Sequence, residues 1–560
     1  MNSRNNKVFI ISLDGATFSV LNPLVKQGYM PTLGKLMSHS VCAELESVVP
    51  PVTAPAWTSF MTGKHPSKHG IFDFSNFHPE RYAWTINNAR DIQSKTVWQI
   101  LSEKGKRSVV LNLPYTYPPY EINGVLVAGW DAPLTDAPFS YPPELSGKIL
   151  QKFPDYKENL WVSELQPLRS DDQFEEFTRR LKTGFTQQAA IAKDLLSGES
   201  WDVFMVHFQQ TDWIQHKLWT YIEHGCNNPD DHSPKIEATR NCYKEFDTLT
   251  GTLLREAEPL APTTLLLSDH GFGRLMGNIN ANFYLKQRGY LSLKQQPEGR
   301  LSGMKSWVRH SNNGTIRGLY RTAVAAKNRF LNRSDQSHDS WVDNAENVMR
   351  RRASTWDWSR TKAALVYAYQ MGFVYINLAG RSPSGVVQPG DEYESIIADL
   401  IRHFKDIRHP RTGEHLLVDV VRGTSIYPSA DTGVAVPDLI LIPKDGYNFS
   451  FSTTEARPQV SEEGTHRSNG VLIFQRDPLT RPGDAFRPNL IDIAPTLLHL
   501  LDLAVPSDLD GRVLRELVPG NAEVRYENVD NSRPRPVIES YTREEEDIIT
   551  QRLTGLGYLG

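Results

Sequence analysis

The segment 49–70 places one threonine where phosphate chemistry is possible. Two prolines precede Thr53, and Pro55 suits the first turn of a helix that we expect over Ala56–Met61 and that Gly63 ends. Thr53 then lies at a helix N-terminus, where free backbone N–H groups and the helix dipole favour an anion such as phosphate. A threonine hydroxyl is a poor nucleophile unless a base or a metal ion lowers its pKa.

Further fragments of the chain carry residue types that bind metal ions. These residues are Asp14, Asp212, His216, Asp269, His270 and His466. Asp212 and His216 are four residues apart, so they share one face if their segment is helical. Each fragment alone also has an ordinary explanation, because carboxylates often cap turns and helices, and loop histidines are common. Only the combination points to a metal site.

The chemistry of these side chains suits divalent cations. Nitrogen and oxygen ligands without thiolate favour Zn²⁺, with Mn²⁺ as the alternative. The three cysteines (Cys42, Cys226 and Cys242) are too few and too scattered for a thiolate site or a disulfide framework. Two such ions ~4 Å apart can hold both the attacking and the leaving oxygen of a phosphoryl transfer. An ion bound to Thr53 would make its hydroxyl reactive without a separate base.

Short apolar segments precede several of these residues and are typical of buried strands. We expect strands at Val8–Leu13, Ser108–Asn112, Val203–Phe208, Thr264–Ser268, Asp438–Ile442 and Gly470–Phe474. Segments with helical spacing separate them, which predicts an α/β fold with a mostly parallel central sheet and helices on both faces. Asp14 and Asp269 follow two of these strands, at the sheet edge where such folds bind ligands.

The composition changes along the chain and indicates a divided catalytic core. We expect the core to comprise 1–282 and 423–518, with 283–422 as an inserted region that caps the site. Within the insertion, the segment 299–340 is rich in Ser, Asn, Arg and Lys, and we expect it to be partly helical and exposed. A polar linker and a C-terminal helix are expected over 519–560.

The bulk composition excludes several classes of protein. The chain has 560 residues, of which 39% are hydrophobic and 22% charged, and a net charge of −4, so it is a large globular protein and no nucleic-acid polymer is an expected partner. No apolar segment approaches the ~18 residues of a membrane-spanning helix. The apolar segment near the N-terminus is too short for a signal peptide, so we expect a cytoplasmic protein without a membrane partner. The sequence leaves the oligomeric state open.

The order Asp…Thr…Asp-x-x-x-His…Asp-His…His resembles the alkaline phosphatase superfamily, in its type I phosphodiesterase/nucleotide pyrophosphatase branch. The segment Thr53-Ala-Pro-Ala-Trp-Thr-Ser-Phe-Met-Thr-Gly resembles the nucleophile segment of that branch, and His69-Gly-Ile matches the His-Gly-Ile after it. Other segments resemble the predicted phosphohydrolase/phosphomutase group of bacteria and archaea. They are Asn112–Pro119, Ile376–Arg381, the helix beginning at Asp492, and Leu556–Leu559.

The resemblance implies an alkaline-phosphatase-like fold and a binuclear metal-dependent phosphohydrolase. Its substrate would be a small-molecule phosphate ester, either a phosphodiester or a nucleotide pyrophosphate. Thr53 would form a phospho-threonine intermediate that water then hydrolyses. One ion would be held by Asp14, Thr53, Asp269 and His270, and the other by Asp212, His216 and His466.

One position departs from the pattern of the phosphodiesterase members. Where they carry an asparagine that binds a phosphoryl oxygen, this chain has Phe74. The oxygen would then be bound by Asn76, by Asn112 or by a backbone amide, or it would have no such donor. Two alternatives therefore stay open: a phosphomonoesterase or phosphomutase on the same site, and a non-catalytic protein that binds a phosphorylated ligand. A sulfatase is disfavoured, because the Cys/Ser-x-Pro-x-Arg segment is missing at Thr53.

Several aromatic residues lie close in sequence to these motifs. We expect most of them to pack in the core, although any could stack on a nucleobase or an aryl leaving group. They are Trp57, Phe72, Phe74, Trp213 and Trp219.

Overall fold

The computed structural model describes most of the chain. The described residues are 6–133, 137–156, 168, 170–260, 262–294, 355–427, 434–455, 458–518, 523–528, 545–546, 548–550 and 553. No helix among them is both long and apolar enough to cross a bilayer.

We number the elements along the chain. The strands are β1 (Val8–Leu13), β2 (Val41–Glu46), β3 (Ser75–His78), β4 (Ala83–Ile86), β5 (Ser108–Leu113), β6 (Gly124–Ala128), β7 (Ser140–Tyr141), β8 (Val203–Phe208), β9 (Thr263–Leu267), β10 (Gly271–Arg274), β11 (Gly277–Ile279), β12 (Ala363–Ala368), β13 (Gly372–Ile376), β14 (Leu417–Arg422), β15 (Leu439–Pro443), β16 (Tyr447–Phe449), β17 (Gly464–Arg467), β18 (Asn469–Gln475), β19 (Val505–Pro506) and β20 (Tyr526–Glu527). The α-helices are α1 (Phe18–Lys26), α2 (Pro31–Ser38), α3 (Thr53–Thr62), α4 (Pro66–His69), α5 (Val97–Glu103), α6 (Glu144–Lys152), α7 (Asp171–Gly198), α8 (Gln210–Asn227), α9 (Pro234–Ala257), α10 (Ala281–Gln287), α11 (Asp391–Lys405), α12 (Gly423–Ile426) and α13 (Ile493–Leu500). Single 3-10 turns lie at Ala89–Asp91, Glu258–Leu260, Leu490–Asp492 and Arg515–Leu517.

The central sheet has eight strands in the order β2-β18-β9-β1-β8-β5-β6-β7. The neighbours β9, β1, β8, β5 and β6 are all parallel. Every residue of β1, β5, β8 and β9 is buried, as expected for parallel strands that are covered on both faces. Helices α1, α2, α7, α8 and α9 pack against one another in one group, and α3, α5 and α13 form another. The expected α/β fold is therefore confirmed.

The strand expected near Asp438–Ile442 was assigned to the wrong sheet. It forms as β15, but β15 lies in a second, four-stranded sheet of order β12-β13-β15-β14. All of its pairings are antiparallel. The sequence showed only a short apolar segment, and such a segment fits either sheet equally well. The second sheet therefore extends past residue 422, where we expected the inserted region to end. The strand expected at 470–474 does join the central sheet as β18, but it runs antiparallel to β9.

Two other expectations concern residues that the structure describes little or not at all. The segment 299–340 lies outside the described residues. Of the expected linker and C-terminal helix, the structure describes β20, which pairs with β19, and a few residues near 548–550 that are helical.

A buried carboxylate joins two helices of the first group. Asp247 of α9 accepts hydrogen bonds from the backbone N–H groups of Thr32 (2.9 Å) and Leu33 (2.8 Å), in the first turn of α2. These N–H groups have no partner within their own helix. We expect Asp247→Ala to lower the free energy of unfolding by about 1–2 kcal/mol. Thermal unfolding would measure this, with the exposed Asp230→Ala as the control, and equal melting temperatures would contradict it.

Candidate active site

Three adjacent parallel strands end at the same edge of the central sheet. Asp14 follows β1, and Asp269 and His270 follow β9. Helix α8 begins after β8 and carries Asp212 and His216 one turn apart. Since β9, β1 and β8 are neighbours in the sheet, their carboxyl ends bring these five side chains together.

His466 and Thr53 reach the same place from other elements. His466 lies in β17 and pairs with Phe272 of β10, which comes soon after His270. Thr53 is the first residue of α3, and Gly63 ends that helix in the left-handed conformation (φ 64°), both as expected. The Nδ1 atom of His466 lies 3.0 Å from the carbonyl oxygen of Pro51, which ties β17 to the segment before α3.

The first cluster surrounds the carboxylate of Asp14. The Thr53 hydroxyl donates to Asp14 Oδ1 over 3.4 Å. The Nε2 atom of His270 lies 3.3 Å from Asp14 Oδ1 and 3.3 Å from Asp269 Oδ2. Ligand atoms of Asp14, Asp269 and His270 all lie within 4.8 Å of one another, which is close enough to share one ion.

The second cluster adjoins the first. The carboxylate oxygen Asp212 Oδ1 lies 3.4 Å from His216 Nε2 and 3.3 Å from His466 Nε2. The two Nε2 atoms are 3.1 Å apart, so a proton or a cation must lie between their lone pairs. The ring of His270 stacks on that of His466, with ring centroids 3.6 Å apart. A ligand atom of His270 also lies within 4.8 Å of those of Asp212 and His466, so the two clusters form one site.

The orientation of the histidines suits metal binding. His466 Nδ1 is positioned to donate to the Pro51 carbonyl, and His270 Nδ1 to the Gly271 carbonyl at 3.1 Å. A neutral imidazole that donates through Nδ1 keeps a lone pair on Nε2. Backbone carbonyls therefore select the tautomer that leaves Nε2 available to an ion.

The charged groups of the site are buried, and burial and neighbouring charges shift their pKa values. Six of the seven predicted ligand residues are 0% exposed, and His216 is 6% exposed. Burial and the adjacent Asp14 raise the pKa of Asp269 far above its usual range. Burial opposes protonation of His270, but Asp269 and Asp14 outweigh it and raise its pKa to about 9. Burial together with His270 lowers the pKa of His466 to about 3.

A divalent cation fits these observations. Within the described part of the chain, Asp269 Oδ2 and His270 Nε2 are buried and lie 3.3 Å apart, but no contact of either atom has the geometry of a hydrogen bond. Buried polar atoms normally have partners, and buried carboxylates are normally paired or bound to a metal. An ion placed among these atoms would satisfy both.

Outer contacts hold each carboxylate of the first cluster, and two of the residues involved were missed as site residues. The indole N–H of Trp57 donates to Asp14 Oδ2 at 2.9 Å, and His207 Nε2 lies 3.6 Å from that oxygen. The backbone N–H of Gly15 donates to Asp269 Oδ1 at 3.2 Å. Trp57 lies four residues after Thr53, hence on the same helix face, which was the signal available. His207 lies inside an apolar strand, and nothing in the sequence marked it.

The structure places the predicted substrate-binding residues in local contacts. The side-chain amide of Asn112 donates to a carbonyl of β6 (3.2 Å) and accepts from the Tyr156 hydroxyl (2.9 Å). The Asn76 amide donates to the Gly70 carbonyl at 2.9 Å. Phe74 is buried in an aromatic cluster. Binding of substrate by these three residues stays a prediction.

A family model identifies the class of the protein. Residues 8–471 match the model of the type I phosphodiesterase/nucleotide pyrophosphatase family. The match covers most of the chain, so the chain belongs to this family. It is therefore a phosphoester hydrolase by family. No curated protein sequence matches it.

Several solved structures align with most of this chain but have low sequence identity to it. Phosphonoacetate hydrolase from Sinorhizobium meliloti 1021, in complex with phosphonoformate, is 13% identical with a TM-score of 0.49, covering 89% of this chain and 96% of that one. Human ectonucleotide pyrophosphatase/phosphodiesterase 5 is 12% identical with a TM-score of 0.45, covering 90% and 97%. The murine protein in complex with AMP is 13% identical with a TM-score of 0.46, covering 89% and 96%. Similarity this low does not identify a substrate.

The hydrogen bond from Trp57 to Asp14 can be tested by removing one N–H group. Trp57→Phe keeps an aromatic ring in the core but leaves Asp14 Oδ2 without this donor. A hydrogen bond to a charged group contributes about 1.5–3 kcal/mol, so we expect the metal-free protein to lose about that much stability beyond the packing cost.

Trp98→Phe is the matched control, since Trp98 is equally buried and its indole nitrogen has no hydrogen-bond partner among the described residues. Chemical unfolding of both variants measures the difference. Equal losses would show that the hydrogen bond does not stabilise the site.

Proposed function

We propose that this chain hydrolyses small phosphodiesters or nucleotide pyrophosphates through Thr53, with the help of two divalent cations. The observation that carries the proposal is the single buried cluster in which the Thr53 hydroxyl donates to Asp14 Oδ1 over 3.4 Å, beside two groups of metal-ligand atoms. Membership of a family of phosphoester hydrolases supports it.

The donor set supports two zinc ions, with manganese as the alternative. The residues that would hold the first ion are Asp14, Thr53, Asp269 and His270, and those for the second are Asp212, His216 and His466. When bound, the ions would supply positive charge that lowers the pKa of the Thr53 hydroxyl and offsets negative charge on the phosphoryl group.

Thr53 is positioned to act as the nucleophile. Its hydroxyl gives its proton to water, its Oγ1 atom forms a bond to phosphorus, and the bond from phosphorus to the leaving oxygen breaks. The leaving oxygen takes up a proton from water and departs. Water then cleaves the phospho-threonine and restores the hydroxyl. Because Thr53 is the first residue of α3, the free N–H groups and the positive end of that helix would face a phosphate group bound to Thr53.

Burial of the site supports a small substrate. Thr53 and the carboxylates around it are 0% exposed. To bring a phosphate to such a depth, a nucleic-acid polymer would have to displace more of the surrounding chain than a small ester would. The proposed partner is therefore a small-molecule phosphate ester.

A phosphomonoesterase or phosphomutase is the second candidate, and Phe74 is the observation that favours it. An apolar ring replaces the amide that binds a phosphoryl oxygen in phosphodiesterase members of the family. Turnover of p-nitrophenyl phosphate and of bis-p-nitrophenyl phosphate, compared under defined metals, decides between the candidates. A higher kcat/KM for the monoester would favour the second.

The nucleophile can be tested by deleting one hydroxyl. We expect Thr53→Ala to reduce turnover of bis-p-nitrophenyl phosphate by about a thousandfold or more, since removing a nucleophile removes the covalent route. Metal content should stay near that of the parent protein, because the remaining ligands are intact. The control is Thr62→Ala at the other end of α3, where the hydroxyl donates to the Thr58 carbonyl. Undiminished turnover by Thr53→Ala would remove Thr53 as nucleophile.

The second metal site can be tested through His466. We expect His466→Ala to lower the metal content from about two ions to about one per chain, since one of three ligands is lost. Elemental analysis of the purified protein measures this without reference to activity. His232→Ala is the control, because His232 is exposed and pairs with Glu237 in the first turn of α9. An unchanged content of both ions would exclude His466 as a ligand.

A further inference from the structure

A turn of the second sheet lies against the histidine-rich part of the site. Residues 369–371 connect the antiparallel strands β12 and β13. All three are buried, with Tyr369 8%, Gln370 7% and Met371 9% exposed, which is unusual for a hairpin turn. The turn is therefore covered by other parts of the fold and not by solvent.

The side chain of Gln370 fixes this turn to β17. In the orientation that satisfies both ends of its amide, the nitrogen donates to the His466 carbonyl at 3.0 Å and the oxygen accepts from the His466 N–H at 3.2 Å. The amide thus pairs with the backbone of His466 as a neighbouring strand would. These two hydrogen bonds hold the turn against His466 of the second cluster.

Tyr369 is the residue of the turn that reaches the cluster. Its hydroxyl lies 3.5 Å from His216 Nε2. Its ring stands edge-on to His466, with ring centroids 5.1 Å apart and an interplanar angle of 86°. The phenol hydroxyl therefore lies beside the nitrogen atoms that would hold the second ion. It also interacts with Thr465.

Occupation of the second site changes what this hydroxyl can bind. When His216 Nε2 gives its lone pair to a cation, it can no longer accept a hydrogen bond from Tyr369. The phenol remains a donor, because an unperturbed tyrosine is neutral at physiological pH. An oxygen of a phosphate group bound at the same place can then accept this hydrogen bond in place of His216 Nε2.

We propose that the Tyr369 hydroxyl binds a phosphoryl oxygen of the substrate, so that the second sheet supplies part of the phosphate site. This inference rests on the proposed function, since it requires a tetrahedral phosphate beside the second cluster. The Tyr369 hydroxyl would thus supply a hydrogen-bond donor to the phosphoryl oxygen, which the apolar ring of Phe74 does not provide. This hydrogen bond would also make Tyr369 a substrate-binding residue from a part of the chain remote from Thr53.

The experiment compares two tyrosines of the same sheet. Tyr369→Phe removes the hydroxyl and keeps the ring against His466. Tyr375→Phe is the control, since that hydroxyl donates to the Ala435 carbonyl at 2.7 Å within the second sheet. Each purified protein is loaded with zinc, its metal content is determined, and the affinity for inorganic phosphate is measured by calorimetry.

We expect Tyr369→Phe to weaken phosphate binding by about tenfold or more, the effect of losing one hydrogen bond to a charged group. Its metal content should equal that of the parent protein, and Tyr375→Phe should bind phosphate normally. Unchanged affinity in Tyr369→Phe would overturn the inference. Loss of one metal ion would overturn it too, because Tyr369 would then serve only to support His216 or Thr465.

The measurement separates this inference from the proposed function. Phosphate affinity is determined without turnover, so a parent protein that binds phosphate but hydrolyses neither p-nitrophenyl ester would refute the proposed function alone. The effect of Tyr369→Phe on binding would still decide the role of the hydroxyl.

Discussion

Three carboxylates buried at one edge of a sheet are the constraint on which the rest of the structure depends. Asp14, Asp212 and Asp269 are all fully buried, and burial together with the charges of the other two carboxylates raises the pKa of Asp269. An isolated buried charge costs several kcal/mol, so such an arrangement persists only where the surrounding fold is stable or a counter-charge is present. A pair of divalent cations would supply that counter-charge. The buried charges are therefore expected to lower the free energy of unfolding of the ion-free protein. Binding of a cation would raise it again in part.

The strands that carry these carboxylates are apolar and buried. Strands β1, β8 and β9 are completely buried and carry the carboxylates at their ends. Outer groups then fix the orientation of individual atoms: Trp57 holds one oxygen of Asp14, Gly15 holds one oxygen of Asp269, and the Pro51 carbonyl sets the tautomer of His466. Each of these contacts leaves the opposite atom facing the cluster. The Thr53 hydroxyl and the candidate ligand atoms are thus oriented without any ion or substrate, which would lower the free-energy cost of assembling an active site.

The second sheet contacts the site through one of its turns. This turn is bound to β17 through Gln370, and Tyr369 reaches the second cluster. In the proposed function, a metal centre on the core would supply the chemistry, and a residue of the second sheet would contact the phosphate group. Phe74, which lies in an aromatic cluster of the core, is consistent with substrate contacts that come from elsewhere.

The sequence by itself determined the class of fold, most strands of the central sheet, the helix that begins at Thr53 and the residues that meet in the cluster. These follow from local patterns: apolar segments of strand length, helix start and stop residues, and ligand types at strand ends. Only the tertiary structure decided that β15 belongs to the second sheet, that Trp57 and His207 contact Asp14, and that Tyr369 lies beside His216. The physical reason is that these contacts join segments distant along the chain. Their geometry depends on how whole elements pack, and no local periodicity records it.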